Sequence, residues 1–437
     1  MTWTPMDGWI IAAGVVSAVA CALPGCYLVL RRMSLMGDAI SHAVLPGLAA
    51  GFLLTGSRAG WPMLVGAAVV GLLTAMLTEW IRRLGKVDES AAMGVVFTTL
   101  FAIGLIAIVR AADHVDLDPG CVLYGAIELT PLHTVTIGAF EVPRVVLRIG
   151  TVMLVNLAAI LLFYKELKIA AFDPELATAV GLSARRMHYA LMALVAVTTV
   201  ACFESVGSIL VIAMLVVPPA TAYLLTDRLG TMLCLSALIA AGSAVAGHVG
   251  AVTLPSHLGF PGASTSTSGM MAVACGALFL CALIASPRHG ILARLWRRAR
   301  LDLNILSEDL LGLLYRLEER GTAHAASAPA LLRDAMGVGV VSRHLALWNL
   351  HRAGHIIRDK GAYHITAAGQ AAARNLVRAH RLWESYLYKH LDLPDAHAHT
   401  TAERLEHVTD AALQEHLAER TNRPVHDPQG RTIPPPT

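Results

Sequence analysis

The stretch Trp9-Ile-Ile-Ala-Ala-Gly-Val-Val-Ser-Ala-Val-Ala-Cys-Ala-Leu-Pro-Gly-Cys-Tyr-Leu-Val-Leu30 decides the class of fold. It carries no charge, and a helix needs about 20 predominantly apolar residues to cross the hydrocarbon core of a bilayer. No basic residue precedes it and many similar runs follow. It therefore reads as a retained span, although Leu23-Pro24-Gly25-Cys26 superficially resembles a lipoprotein cleavage box.

Working outward, eight further runs are expected to span, at roughly 38–56, 60–81, 91–110, 149–165, 187–202, 205–226, 231–253 and 268–286. Only Phe203 and Glu204 separate the sixth and seventh spans, so a broken or re-entrant helix is one reading there. The expected fold is an all-α polytopic membrane bundle of eight or nine spans. Residues 1–286 hold 14 Lys+Arg and 15 Asp+Glu, whereas the shorter segment 287–437 holds 20 and 16 together with 13 of the 19 histidines. The tail thus has the composition of a soluble domain. The net charge of +3 gives no support for a nucleic-acid partner.

Arg31-Arg32, Arg82-Arg83-Lys86, Lys165-Lys168-Arg185-Arg186, Arg228 and the cluster Arg288–Arg300 fall on one side of the predicted spans. Positively charged loops stay in the cytoplasm. The tail is therefore expected inside the cell membrane and the N-terminus outside. Residues 287–304 read as a basic linker helix lying in the interface. The outer loop 111–148 begins with Asp113, His114, Asp116 and Asp118, either a cation-gathering loop or simply a solvated one. His248 and His257 flank an outer turn and read as ordinary polar residues. In the inner loop, Asp173 is placed to cap a helix beginning at Pro174 and Glu175, with Gly181 ending it. All seven cysteines precede the tail and no CxxC occurs, so a zinc ribbon or disulfide framework is not expected.

Asp38 and His42 are the informative pair within the spans. Four residues apart, they share a helix face. Together they form either part of a site for Mn²⁺, Zn²⁺ or Fe²⁺, or a helix-capping Asp beside a packed His. Glu204 either lines a pathway or marks the outer water boundary.

Met33-Ser-Leu-Met-Gly-Asp-Ala-Ile-Ser-His-Ala-Val-Leu-Pro-Gly47 resembles the metal-ion ABC permease family, whose members import zinc, manganese or iron. So do Val206–Ala220 and Ser286-Pro-Arg-His-Gly-Ile-Leu292. The resemblance covers roughly residues 8–295. It places Asp38 and His42 on the translocation path, makes 173–186 the coupling helix for the ATPase, and puts Pro219 at a common Pro-Ala position. The chain has no GxxxxGK[ST], so it does not bind ATP in the P-loop manner. The resemblance implies a cytoplasmic ABC ATPase, an extracytoplasmic metal-binding protein and a second permease subunit, identical or paralogous.

The tail, 305–437, resembles the iron- and manganese-dependent repressors of the diphtheria-toxin-repressor type. The matching blocks are Ser307–Gly321, Ala379–Leu387, Ala402–Val408 and Asp427–Pro434. A winged-helix domain over 305–370 and a metal-binding and dimerisation domain over 371–437 are implied. From spacing alone, Glu403, Glu406 and His407 share one helix face and His380 and Glu384 another. That pattern suits either a two-metal site or two solvated faces. The resemblance carries metal ligation to Asp309, His380, Glu403, Glu406 and His407, and ancillary positions to Glu384 and His399. Glu403 stands where iron-type members carry Cys, which favours Mn²⁺; Gly312 departs from the pattern by lacking an acid. The helix-turn-helix would fall at 328–354, with Ser342, Arg343 and Asn349 placed to touch DNA, yet that helix has few charges for phosphate. The Pro434–Pro436 end is expected to fray.

The reading is a metal-importer permease with a metal-sensing tail and no enzymatic activity of its own. The alternative is a membrane-tethered metal-dependent transcriptional regulator. An intramembrane hydrolase finds no HExxH or nucleophile motif.

Overall fold

The computed structural model describes residues 4–55, 60–112, 125, 127–137, 140–257, 259, 265–319, 339–359, 362–391 and 393–436. It divides into two compact units, Met1–Ala293 and Arg294–Thr437.

The first unit is helical, and among the described residues nine segments are long and apolar enough to cross a membrane. Helix α1 (Pro5–Leu30) opens with Thr4 N–H donating to Asp7 Oδ2 at 2.7 Å, which satisfies a donor at the helix start. It is buried along most of its length, including Gly14, Cys21, Gly25 and Tyr27. A Cβ on Gly25 would lie 2.0 Å from the Leu215 carbonyl oxygen, so glycine alone permits this crossing. The second span is split into α2 (Leu35–Ala43) and α3 (Leu45–Thr55), with Pro46 just past the break. Helix α4 (Gly60–Gly85) meets α3 where Gly47 and Gly66 approach backbone to backbone. Then come α5 (Glu89–Ala112), a 3₁₀ turn (Ile127–Leu132) and a hairpin of β1 (Thr134–Ile137) and β2 (Phe140–Pro143) in register Thr134↔Pro143.

The fifth span is α6 (Arg144–Leu162). Its buried Asn156 donates to Ala20 O and Thr198 Oγ1 at 3.0 and 2.7 Å, tying three helices together by polar contacts that lipid does not compete for. On the inner side are α7 (Tyr164–Phe172) and α8 (Pro174–Ala179). Helix α9 (Ala184–Leu225) contains the sixth and seventh spans; α10 (Leu229–His257) and α11 (Thr267–Ala285) complete the bundle.

The break expected near 203–204 lies at Gly207, whose φ of 80° and ψ of 162° are not helical. Gly125 rests against the Val206–Gly207 backbone, which leaves no room for a side chain there. Outward-facing Val69, Leu105, Leu161 and Leu238 are each more than half exposed, a surface that suits lipid rather than water.

In the second unit α12 (Ile291–Glu319) supplies Leu310, Leu311 and Leu314 to a core shared with Ala346, Leu347 and Leu350 of α13 (Val340–Arg352). Ile356 of β3 (Ile356–Asp359) joins that core, and β3 pairs antiparallel with β4 (Ala362–Ile365). This helix-then-hairpin order is the expected winged arrangement; residues 328–338 of the proposed helix-turn-helix lie outside the described residues. Helix α14 (Ala367–Leu391) then packs on α15 (Asp395–Leu405), a 3₁₀ turn Glu406–Val408 and α16 (Ala411–Arg420). The terminal segment is held rather than frayed. Arg378 Nη1 donates to Pro434 O at 2.6 Å, Arg381 donates to Thr432 O, and Ile433 is buried.

Candidate metal centres

In the first unit Asp38 and His42 lie on α2 as their spacing requires. His42 Nε2 is 3.3 Å from Asp38 Oδ1, with both side chains partly exposed. The His42 ring stands edge-on to Phe101, centroids 5.9 Å apart. Gly37 lets this turn press against Leu215, since a Cβ would lie 2.0 Å from Leu215 Cδ2. The short helix is thus set firmly while its acid and imidazole stay open on one face.

Glu204 belongs to α9, but its side chain lies outside the described residues, as do Asp113, His114, Asp116 and Asp118. His248 departs from its reading as a loop residue. It is buried within α10, 3.2 Å from Asp7 Oδ1, closing α10 onto the start of α1. The inner loop follows its reading. Asp173 Oδ1 accepts from Glu175 N and Leu176 N at 3.1 and 2.9 Å, Pro174 is the first helical residue, and Gly181 turns the chain at φ 87°.

The tail brings most of its predicted ligands together in two groups. His380, Glu384 and His399 offer ligand atoms all within 4.8 Å of one another, and so do Asp309, Glu406 and His407. In the first, His380 Nε2 is 3.2 Å from Glu384 Oε1 and 3.0 Å from His399 Nδ1. Glu384 Oε2 is buried without a hydrogen-bond partner. An orphaned buried carboxylate oxygen costs free energy unless something positive completes the site. In the second, His407 Nε2 faces Asp309 Oδ1 at 3.1 Å. The groups adjoin, because His380 Nδ1 contacts Glu406 Oε2.

Electrostatics follow from this crowding. Burial disfavours charge on His407, but hydrogen bonds with Asp309 and Glu308 outweigh it and raise its pKa to about 10. Burial likewise opposes the charge on Glu384, yet its bonds to His380 and His399 hold it down at about 2. His380 is raised against its burial by Glu384 and Glu406. Nitrogen and hard oxygen donors without thiolate suit Mn²⁺, Fe²⁺ or Zn²⁺.

Glu403 joins neither group. The α-helix stops at Leu405 and continues as a 3₁₀ turn, so Glu406 turns inward and Glu403 remains exposed. The expected i, i+3, i+4 stripe is broken at that point. Glu308 was not anticipated: its Oε2 lies 2.7 Å from His407 Nδ1. It precedes Gly312 by four residues and so occupies the same helix face as the missing acid, the signal that would have found it. Of the suggested DNA contacts, Ser342 is exposed, Arg343 is buried and Asn349 donates to Ser307 Oγ at 3.2 Å.

Residues 6–286 match the family model of the ABC 3 transport family. The chain belongs to that family. This permease is 45% identical over 289 residues to the manganese transport system membrane protein MntD of Bacillus subtilis (strain 168), covering 66% of this chain and 95% of that one. It is 38% identical over 353 residues to the zinc transport system membrane protein TroD of Treponema pallidum (strain Nichols), covering 77% and 94%. That coverage exceeds what residues 1–286 make up, so the likeness runs into the tail. Its fold matches the solved PsaBC from Streptococcus pneumoniae in complex with Fab, at 30% identity and a TM-score of 0.54, over 65% of the permease and 94% of that chain. Residues 366–435 match the iron dependent repressor, metal binding and dimerisation domain. The permease is a multi-pass membrane subunit of an ABC transporter, and ATP hydrolysis belongs to a separate subunit.

Proposed function

We propose that this permease imports a divalent transition metal, with manganese favoured over zinc and iron, and that its tail senses the same ion in the cytoplasm. Asp38 and His42 are the path ligands. The relatives named for manganese and zinc transport support the cargo class. The partners are a cytoplasmic ATPase docking at α8, an extracytoplasmic metal-binding protein and a second permease subunit.

The observation that carries the sensing reading is the pair of adjoining tail groups. His380, Glu384 and His399 would hold one ion and Asp309, Glu406 and His407 another, with Glu308 holding the far nitrogen of His407. A carboxylate on the second nitrogen fixes the tautomer and orientation of a metal-binding histidine. Bound metal neutralises this cluster and fixes α14 against α15 and α12. A coupling of about 1–3 kcal/mol between the tail and the transport cycle is enough to change uptake several-fold.

Uptake of radioactive manganese and zinc by cells expressing the permease with its ATPase tests the path. Asp38→Ala/His42→Ala is expected to abolish uptake of the cargo ion. Undiminished uptake by that variant excludes the pair as path ligands. A tethered transcriptional regulator would require operator binding, for which the inward Arg343 and Asn349 offer little surface.

A further inference from the structure

Helix α12 has one apolar face with two different fates. From Leu303 onward, Leu306, Leu310 and Leu314 of that face pack into the tail's core. The same face continues backwards at helical spacing through Ala299, Trp296, Leu295 and Leu292. There it is bare: Leu292, Leu295 and Trp296 are 57%, 58% and 72% exposed. The opposite side of these same turns carries Arg294, Arg297 and Arg298, and Arg300 lies at the edge of the stripe, one turn beyond Trp296. Water does not favour a bare Leu-Leu-Trp stripe, and its isolation to three turns of a helix otherwise well packed needs an occupant.

The position of these turns identifies that occupant. Helix α11, the last span, ends at Ala285, and the five residues before α12 are fastened to the inner ends of the spans. Ser286 Oγ donates to Leu224 O at 2.6 Å, at the end of α9. Arg288 pairs with Asp227, the His289 ring stacks on Tyr223 with centroids 6.5 Å apart, and Gly290 N–H donates to Ser286 O at 3.0 Å. A Cβ on Gly290 would lie 2.3 Å from Ser286 O, so the turn is tight. Ile291 therefore begins α12 at the depth where the spans leave the bilayer.

We propose that residues 291–301 bind the anionic phospholipid headgroups of the cytoplasmic leaflet. Leu292, Leu295 and Trp296 enter the boundary between headgroups and acyl chains. Arg294, Arg297, Arg298 and Arg300 take the phosphates. An amphipathic basic helix with a Trp on its apolar side has the composition for this placement. The inference is independent of metal sensing and rests only on the cytoplasmic side of the tail.

Hydrogen exchange of the full-length permease in nanodiscs tests it. Discs of zwitterionic phosphatidylcholine are compared with discs containing phosphatidylglycerol. Each arginine near an anionic surface is worth about fivefold in affinity. Amides of 291–301 are expected to exchange at least about tenfold more slowly in the anionic discs, while 303–315 of the same helix stays unchanged. Salt at about 1 M, which shortens the Debye length to about 3 Å, removes the difference in the unmodified protein. Changing all four arginines to Gln also removes it, and Trp296→Ser speeds exchange in both lipids. Equal exchange in the two kinds of disc overturns the proposal. So does equal protection in detergent, which would mean that a second copy or another protein covers the face.

Discussion

His407 concentrates the chemistry of the tail. Its nitrogens face two carboxylates, Asp309 and Glu308, and its pKa stands at about 10. A folded-state pKa above the ordinary 6.5 stabilises the metal-free fold fully below pH 6.5, and that stability is lost as pH rises through 10. Glu384, held at about 2, contributes above pH 4.5 and loses its contribution as pH falls toward 2. If His407 is a ligand, as proposed, metal must displace its proton. Calorimetric titration of the metal-free protein with manganese is therefore expected to show affinity rising by up to about tenfold per pH unit between 7 and 9. A flat profile would remove His407 from the ligands. Glu308→Gln is expected to weaken binding by about 10-fold. The grouping of His380 with Glu384 was legible because their i, i+4 spacing survives into the fold. Glu403 and Glu308 were not, because their roles turn on where a helix stops and on which acid covers for Gly312.

At the scale of elements, all nine spans were legible, with ends within about five residues of those observed, since an apolar run long enough to cross a bilayer has few other uses. The break in α9 was misplaced by a few residues. Its cause is the backbone at Gly207 and the close seat of Gly125, which hydropathy does not record. The β1–β2 hairpin also escaped notice, because two four-residue strands leave only a weak alternation. Gly207 sits where only glycine is comfortable. Gly207→Ala is expected to cost about 1–3 kcal/mol and to lower the thermal midpoint of the detergent-solubilised permease. An unchanged midpoint would show that the break relaxes without strain. Asp173 caps α8 through two backbone N–H groups, so Asp173→Ala is expected to loosen that helix by about 1 kcal/mol. If α8 is the docking element, the ATPase stimulation measured on the assembled transporter falls while the bundle's melting point stays the same.

At the scale of the molecule, a membrane permease has been joined to a domain whose relatives bind metal and dimerise. The first part belongs to an ABC transporter; the second, which begins only a short turn beyond the last span, brings together two adjoining groups of His, Asp and Glu side chains that could hold metal ions. Under the proposed function, the chain would read the concentration it helps to raise. The most direct test measures the initial rate of manganese uptake in cells preloaded with increasing manganese, comparing the unmodified permease with His380→Ala/Glu406→Ala. The account predicts that uptake by the unmodified permease falls as internal manganese rises, while the variant keeps its unloaded rate. Equal decline in both, or no decline in either, would contradict it.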